Sequence, residues 1–254
     1  MVILKSRDEL AVMRRAGRVV AETLARVTAA VRPGVRLLEL DRIGQQSIRA
    51  AGATPSFLGY LPHFASSPFP GSLCLSLNEV VVHGIPDQTR LREGDLLSID
   101  CGAVVDGYHG DAAVTVPVGE PDPAARRLLE ATERALWAGI EQVRVGRRLS
   151  DVSHAVGQVA HEAGYAILPD HGGHGVGRLL HEDPSVANDG RPGRGLRLRP
   201  GLVLAIEPMF IDGDAAYEIR PDGWAVAAKD GSRAAHFEHT VAVTDDGPEV
   251  LTLP

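Results

Sequence analysis

The stretch Leu96–Val116 constrains this chain more than any other. It reads Leu-Leu-Ser-Ile-Asp-Cys-Gly-Ala-Val-Val-Asp-Gly-Tyr-His-Gly-Asp-Ala-Ala-Val-Thr-Val. Asp106-Gly107 between two apolar runs is a strong hairpin signal, because a tight hairpin turn needs two residues that tolerate positive φ. If those two residues form the turn, Val105 faces Tyr108, Gly102 faces Asp111 and Asp100 faces Ala113. Alternation then puts Asp100, Gly102, Asp111 and Ala113 on one face. The two aspartates become diagonal neighbours, about 7–8 Å apart at the backbone. Exposed carboxylates are the default, and a solvated face on which the two never meet is the plain alternative. Held close on a face of small residues, they would repel one another unless a cation sat between them.

The remaining sequence bears on that choice. A length of 254 residues allows one large domain or two small ones. A net charge of −7 offers no electrostatic footprint for nucleic acid or an anionic membrane. The N-terminal residues become charged too early for a signal peptide, and no apolar run reaches membrane-spanning length. Cys74 and Cys101 are the only cysteines, which suits a reducing compartment. The expectation is a cytoplasmic protein.

Ser6-Arg-Asp-Glu9 has capping-box spacing ahead of a helical pattern from about Leu10 to Val31. A second helix is expected from about Leu38 to Ala51. Residues 53–72, with Pro55, Pro62, Pro68 and Pro70, read as an irregular loop. Leu73–His83 reads as one strand, and a third helix is expected from Pro123 to Val145. The chain then repeats itself. Val31-Arg-Pro-Gly-Val-Arg-Leu37 matches Val143-Arg-Val-Gly-Arg-Arg-Leu149 at five of seven positions and an offset of 112, and Ala51-Gly52 is echoed by Ala163-Gly164. Two similar halves imply one pseudo-symmetric α+β domain with a crevice where they meet.

Two later apolar strands also carry a carboxylate. Glu207 shares a face with Val203 and Ala205, and Glu238 shares one with Thr240 and Ala242. A carboxylate within an apolar strand is costly unless paired or bound to metal. His174 lies in Gly172-Gly-His-Gly-Val-Gly177, where glycines let the backbone pack closely and leave the imidazole approachable. Four carboxylates and one imidazole are too anionic to cluster bare. Two divalent cations sharing a hydroxide would nearly neutralise them, and such pairs activate water for hydrolysis. Taken singly, Glu207 could instead sit in a buried salt bridge, and His174 could be a core or capping residue.

Together Asn78-Glu-Val-Val-Val-His83-Gly-Ile-Pro86, Ile99-Asp100, Gly107-Tyr-His-Gly-Asp111, Gly173-His174-Gly-Val-Gly177, His181-Glu-Asp-Pro184, Ile206-Glu-Pro-Met209 and Glu238-His-Thr240 resemble the type I methionine aminopeptidases over essentially the whole chain. The resemblance implies the pita-bread fold, an α+β arrangement of two pseudo-symmetric halves with an antiparallel sheet backed by helices. It implies one catalytic domain spanning 1–254, with halves near 1–120 and 121–254. Its activity would be removal of an initiator methionine from nascent proteins or peptides when the next residue is small, by a monomer with the ribosome as a candidate partner. Two divalent metal ions (Co, Mn, Fe or Zn) would be held by Asp100, Asp111, His174, Glu207 and Glu238, with Asp111 and Glu238 bridging. Glu207 would also shuttle protons, while His83 and His181 would contact the scissile amide and the tetrahedral intermediate. Phe69, Cys74, Leu180 and Trp224 would line the methionine pocket. For Cys74 and Leu180 ordinary core packing is the competing reading, and His109 is either a support for the ligands or an exposed turn residue.

Two departures stand out. Ser66-Ser-Pro-Phe-Pro70 replaces the family's Tyr-(His/Lys)-Gly-(Tyr/Phe)-Pro, and Leu180 stands where an aromatic is common. The first implies that an aromatic wall of the pocket is missing. Rival readings are a prolidase or aminopeptidase P, which carry an extra N-terminal domain, and a pita-bread protein that binds a partner without catalysis.

Overall fold

The computed structural model describes residues 2–62 and 65–254. Helices α1 (Arg7–Ala30) and α2 (Leu37–Ala50) open the chain, followed by the short strand β1 (Thr54–Pro55). The capping box is present: Ser6 Oγ accepts from Glu9 N, and Glu9 Oε2 accepts from Ser6 N. Residues 53–72 are otherwise irregular, with positions 63 and 64 outside the described residues.

The expected single strand over Leu73–His83 is instead two, β2 (Cys74–Leu77) and β3 (Val80–Val82), in different sheets. Asn78 makes the break. Its φ of 54° is a left-handed conformation that asparagine tolerates better than most residues. His83, at φ 60°, turns the chain again at the end of β3.

Next come β4 (Leu96–Val105) and β5 (Tyr108–Pro117), whose register is Val105↔Tyr108, Gly102↔Asp111 and Asp100↔Ala113, as the turn chemistry implied. Asp106 and Gly107 have φ of 47° and 79°, the positive pair that a tight hairpin requires. Helix α3 (Pro123–Glu141) ends four residues earlier than expected, at the Gln142 cap. The rest comprises α4 (Leu149–Ala163), β6 (Ala166–Ile167), β7 (Gly172–Gly175), β8 (Glu182–Ala187), β9 (Val203–Ile206), β10 (Met209–Ile211), β11 (Tyr217–Ile219), β12 (Val226–Ala228), β13 (Ala234–His236), β14 (Glu238–Thr244) and β15 (Gly247–Val250). No helix among the described residues is long and apolar enough to cross a membrane.

The 112-residue repeat is also a repeat of structure. Gly34 and Gly146 both have φ of 89°, and α2 and α4 both begin at the leucine three residues later. The arginine before each leucine makes an isolated antiparallel bridge, Arg36 to Arg90 and Arg148 to Arg197.

The main sheet runs β1-β4-β5-β14-β9-β7-β8, with β2 beside β4 and β15 beside β14. Its ladders pair antiparallel. One set of alternating residues packs against helices: Leu97, Ile99 and Cys101 with Val20 and Leu24 of α1, and Leu204, Ile206, Val241 and Val243 with Leu128 and Leu136 of α3. The other set holds the carboxylates. Helix α1 lies so close to β5 that a side chain on Gly110 would place its Cβ 2.7 Å from the Gly17 amide nitrogen. Gly110→Ala is therefore expected to destabilise the fold by about 1–3 kcal/mol through overpacking. Urea denaturation against the parent chain measures this, and an unchanged midpoint would show that α1 and β5 separate freely.

Candidate metal centre and substrate pocket

Five neighbouring strands of the main sheet, β4-β5-β14-β9-β7, each bring one of the nominated ligands to a common face. In that order they are Asp100, Asp111, Glu238, Glu207 (one residue past β9) and His174. Small residues keep the space between them open. Ala113 lies opposite both Asp100 and Glu238, and Ala205 lies opposite both Thr240 and His174.

His174 Nε2 is 3.9 Å from Asp111 Oδ2, 3.7 Å from Glu207 Oε1 and 3.9 Å from Glu238 Oε1. Its Nδ1 lies 2.9 Å from the Gly175 carbonyl oxygen. A carbonyl only accepts, so Nδ1 carries the proton and the Nε2 lone pair points into the cluster. Thr240 holds the backbone of Asp111 from both sides. Its hydroxyl accepts from Asp111 N at 3.0 Å and donates to Asp111 O at 2.7 Å. His236, which the sequence reading did not nominate, brings Nε2 to 3.3 Å from Glu207 Oε2 and 3.9 Å from Glu238 Oε2.

The electrostatics are those of an anionic cluster out of water. Burial, and then the neighbouring carboxylates, push Asp111 and Glu238 well above the usual carboxylate range. Burial lifts Asp100 to about 7, with Glu207 adding to the rise and His236 opposing it. Glu207 goes the other way: burial alone would raise it, but the His236 contact and the His174 imidazole bring it below its ordinary value. Asp100 Oδ1, Asp111 Oδ1 and Glu238 Oε1 are buried with no hydrogen-bond donor among the described residues. Among the described residues no lysine or arginine lines the cavity. Asp111, His174 and Glu238, and separately Glu207, His236 and Glu238, offer ligand atoms within 4.8 Å of one another. Hard oxygen donors with imidazole suit a divalent cation, so the residues present fit one.

All eleven nominated residues line one cavity of about 70 Å³: the five above, His83 and His181, and Phe69, Cys74, Leu180 and Trp224. Cys74 sits directly across the ladder from Asp100, and burial, then Asp100, holds its thiol protonated. Phe69 and Trp224 meet edge to face with centroids 5.0 Å apart. His83 stands against Trp224 at 6.2 Å, and burial keeps its imidazole neutral, with the pKa down to about 4. His181 lies at the cavity mouth with its ring 4.3 Å from that of His174. Crowding by protein, then the His174 ring, takes it to about 3.

The expected gap in the aromatic wall does not occur. Ser66 is exposed and does not line the cavity, whereas Phe57 and Tyr60 do. Phe57 packs on Phe69 at 6.5 Å, and the Tyr60 hydroxyl reaches His181 Nδ1 at 2.8 Å. The aromatic surface has been supplied from earlier in the same loop. His109 resolves as half-buried, with Nδ1 2.9 Å from Ser56 Oγ, and is not a lining residue.

Comparison with known proteins follows the same lines. The model of Metallopeptidase family M24 matches residues 11–245. The chain belongs to that family. Methionine aminopeptidase 1 of Mycobacterium tuberculosis is 50% identical over 256 residues, covering 98% of this chain and 94% of its own. The crystal structure of methionine aminopeptidase from Thermotoga maritima superposes with a TM-score of 0.96 at 40% identity, over the whole of both chains. The M24 fold is therefore the pita-bread α+β fold, and a divalent-metal peptidase chemistry comes with it. Prolidase from Pyrococcus furiosus shares the fold at a TM-score of 0.77 and 22% identity, and this chain spans 66% of it.

The Thr240 clamp is testable without metal. Thr240→Val leaves the buried Asp111 N–H and C=O short of a partner and is expected to destabilise the chain by about 1–3 kcal/mol, with Thr240→Ser largely spared. Equal denaturation midpoints for the valine and serine variants would remove the hydroxyl from the account.

Proposed function

We propose that this chain is a methionine aminopeptidase acting on nascent polypeptides whose second residue is small, as a monomer in the cytoplasm. One observation carries the reading. A buried face of four carboxylates and one imidazole opens directly into a small pocket walled by Phe57, Phe69, Cys74, Leu180 and Trp224. We further propose that the whole chain is one catalytic domain with halves near 1–120 and 121–254, and that two divalent ions occupy the site, drawn from Co, Mn, Fe or Zn.

Each residue's part follows from its surroundings. Asp100, Asp111, His174, Glu207 and Glu238 would hold the cations. When bound, the cations supply a Lewis acid for the scissile carbonyl and lower the pKa of the attacking water. The His236 contact holds the Glu207 carboxylate below its ordinary value against the effect of burial, so it can take a proton from that water and return it to the departing amine. His83 and His181 are neutral, and a neutral imidazole donates a hydrogen bond to the developing oxyanion without bringing a competing charge. Phe69 and Trp224 give an unbranched thioether side chain a close-fitting apolar slot, and protonated Cys74 adds a soft, uncharged surface.

Two measurements test the reading. Chelator-treated protein is expected to lose hydrolysis of Met-Ala peptides and to regain it on adding divalent metal, with Met-Leu peptides cleaved poorly throughout. Full activity after chelation, or equal turnover of the two peptides, would sink it. Metal content separates the roles. Glu238→Ala is expected to purify with substoichiometric metal. His83→Ala should keep its metal and lose about 10²–10³-fold in kcat, the usual loss for one oxyanion donor. Metal loss from His83→Ala would reassign that histidine.

A further inference from the structure

His236 is almost completely buried, yet its Nε2 has no hydrogen bond of good geometry among the described residues. It faces the same two carboxylates as His174, from their other oxygens. On Glu207, Oε1 looks toward His174 at 3.7 Å and Oε2 toward His236 at 3.3 Å. On Glu238, Oε1 lies 3.9 Å from His174 and Oε2 lies 3.9 Å from His236. The backbone holds this arrangement. His236 pairs across the β10–β13 ladder with Met209, two residues beyond Glu207, and Phe237 N donates to Pro208 O at 3.3 Å.

We propose that His236 is a positioning residue for Glu207: Oε2 is the carboxylate oxygen nearest its Nε2, at 3.3 Å, and donation from Nε2–H to Oε2 in the loaded site fixes Oε1 as the oxygen that faces the cation site. The proposal rests on the reading of Glu207 as a metal ligand. A carboxylate can only accept, so the contact needs the proton on Nε2. Without it, the terminal torsion of Glu207 has two broad, nearly equivalent orientations, and the oxygen used for ligation would not be distinguished from the one left for proton transfer. His174 cannot do this, because its only ring N–H is given to Gly175 O. Partners of this kind around a metal ligand are worth about 10–100-fold in affinity or activity.

The test compares His236→Leu, which removes the donor, with His236→Gln, which returns an N–H to about the same place. Cobalt(II) is titrated into each apoprotein by calorimetry and by its visible absorption, and kcat and KM are then measured on a Met-Ala peptide. His236→Leu is expected to bind cobalt about 10–100-fold more weakly and to lose kcat with KM little changed, and His236→Gln to recover most of both. Parent-like cobalt affinity, spectrum and kcat in His236→Leu would overturn the proposal while leaving the metal reading intact. So would a glutamine variant no better than leucine that lacks one equivalent of cobalt, since the imidazole would then be a ligand itself. A parent chain that binds no cobalt would remove both the proposal and the reading beneath it.

Discussion

Mutual repulsion among four buried carboxylates is the constraint around which this structure is arranged. Asp100, Asp111, Glu207 and Glu238 sit on one face of a sheet whose other face is packed with aliphatic side chains and helices. Without compensation that face would be destabilising, and the raised values of Asp100, Asp111 and Glu238 register the cost. The surrounding fold supplies partial answers. Two imidazoles approach the carboxylates from different oxygens, Ala113 and Ala205 leave open volume, and three buried carboxylate oxygens have no donor among the described residues. A divalent cation completes what the protein leaves unfinished.

Much of this was legible because its cause is local. The hairpin register follows from Asp106-Gly107, since few dipeptides accept two positive φ values in succession. The matching of α2 and α4 followed from a repeat that kept the glycine, arginine and leucine of each helix start. The four carboxylates stood out because a carboxylate on an apolar strand demands an explanation.

What was not legible depended on contacts between distant segments. Nothing within Leu73–His83 announces that Asn78 turns the strand back, because asparagine accepts both extended and left-handed backbone. Phe57 and Tyr60 belong to a loop without periodicity, so their place in the pocket follows only from where the loop docks. The inference that Ser66 left an aromatic gap assumed that wall residues keep their position in the sequence. Here Phe57 and Tyr60 line the cavity instead. His236 was available to pattern reasoning, since it stands two residues before Glu238 and alternation puts both on one side, but it ends β13 while Glu238 begins β14.

The distribution of ligands over five adjacent strands has a consequence for how the molecule matures. Asp100 and Asp111 belong to the first hairpin, whereas Glu238 comes from a strand near the chain's end, inserted between β5 and β9. No fragment that stops short of β14 brings the five candidate ligands onto one face. A cation held by those residues would stabilise only molecules in which β14 has paired between β5 and β9.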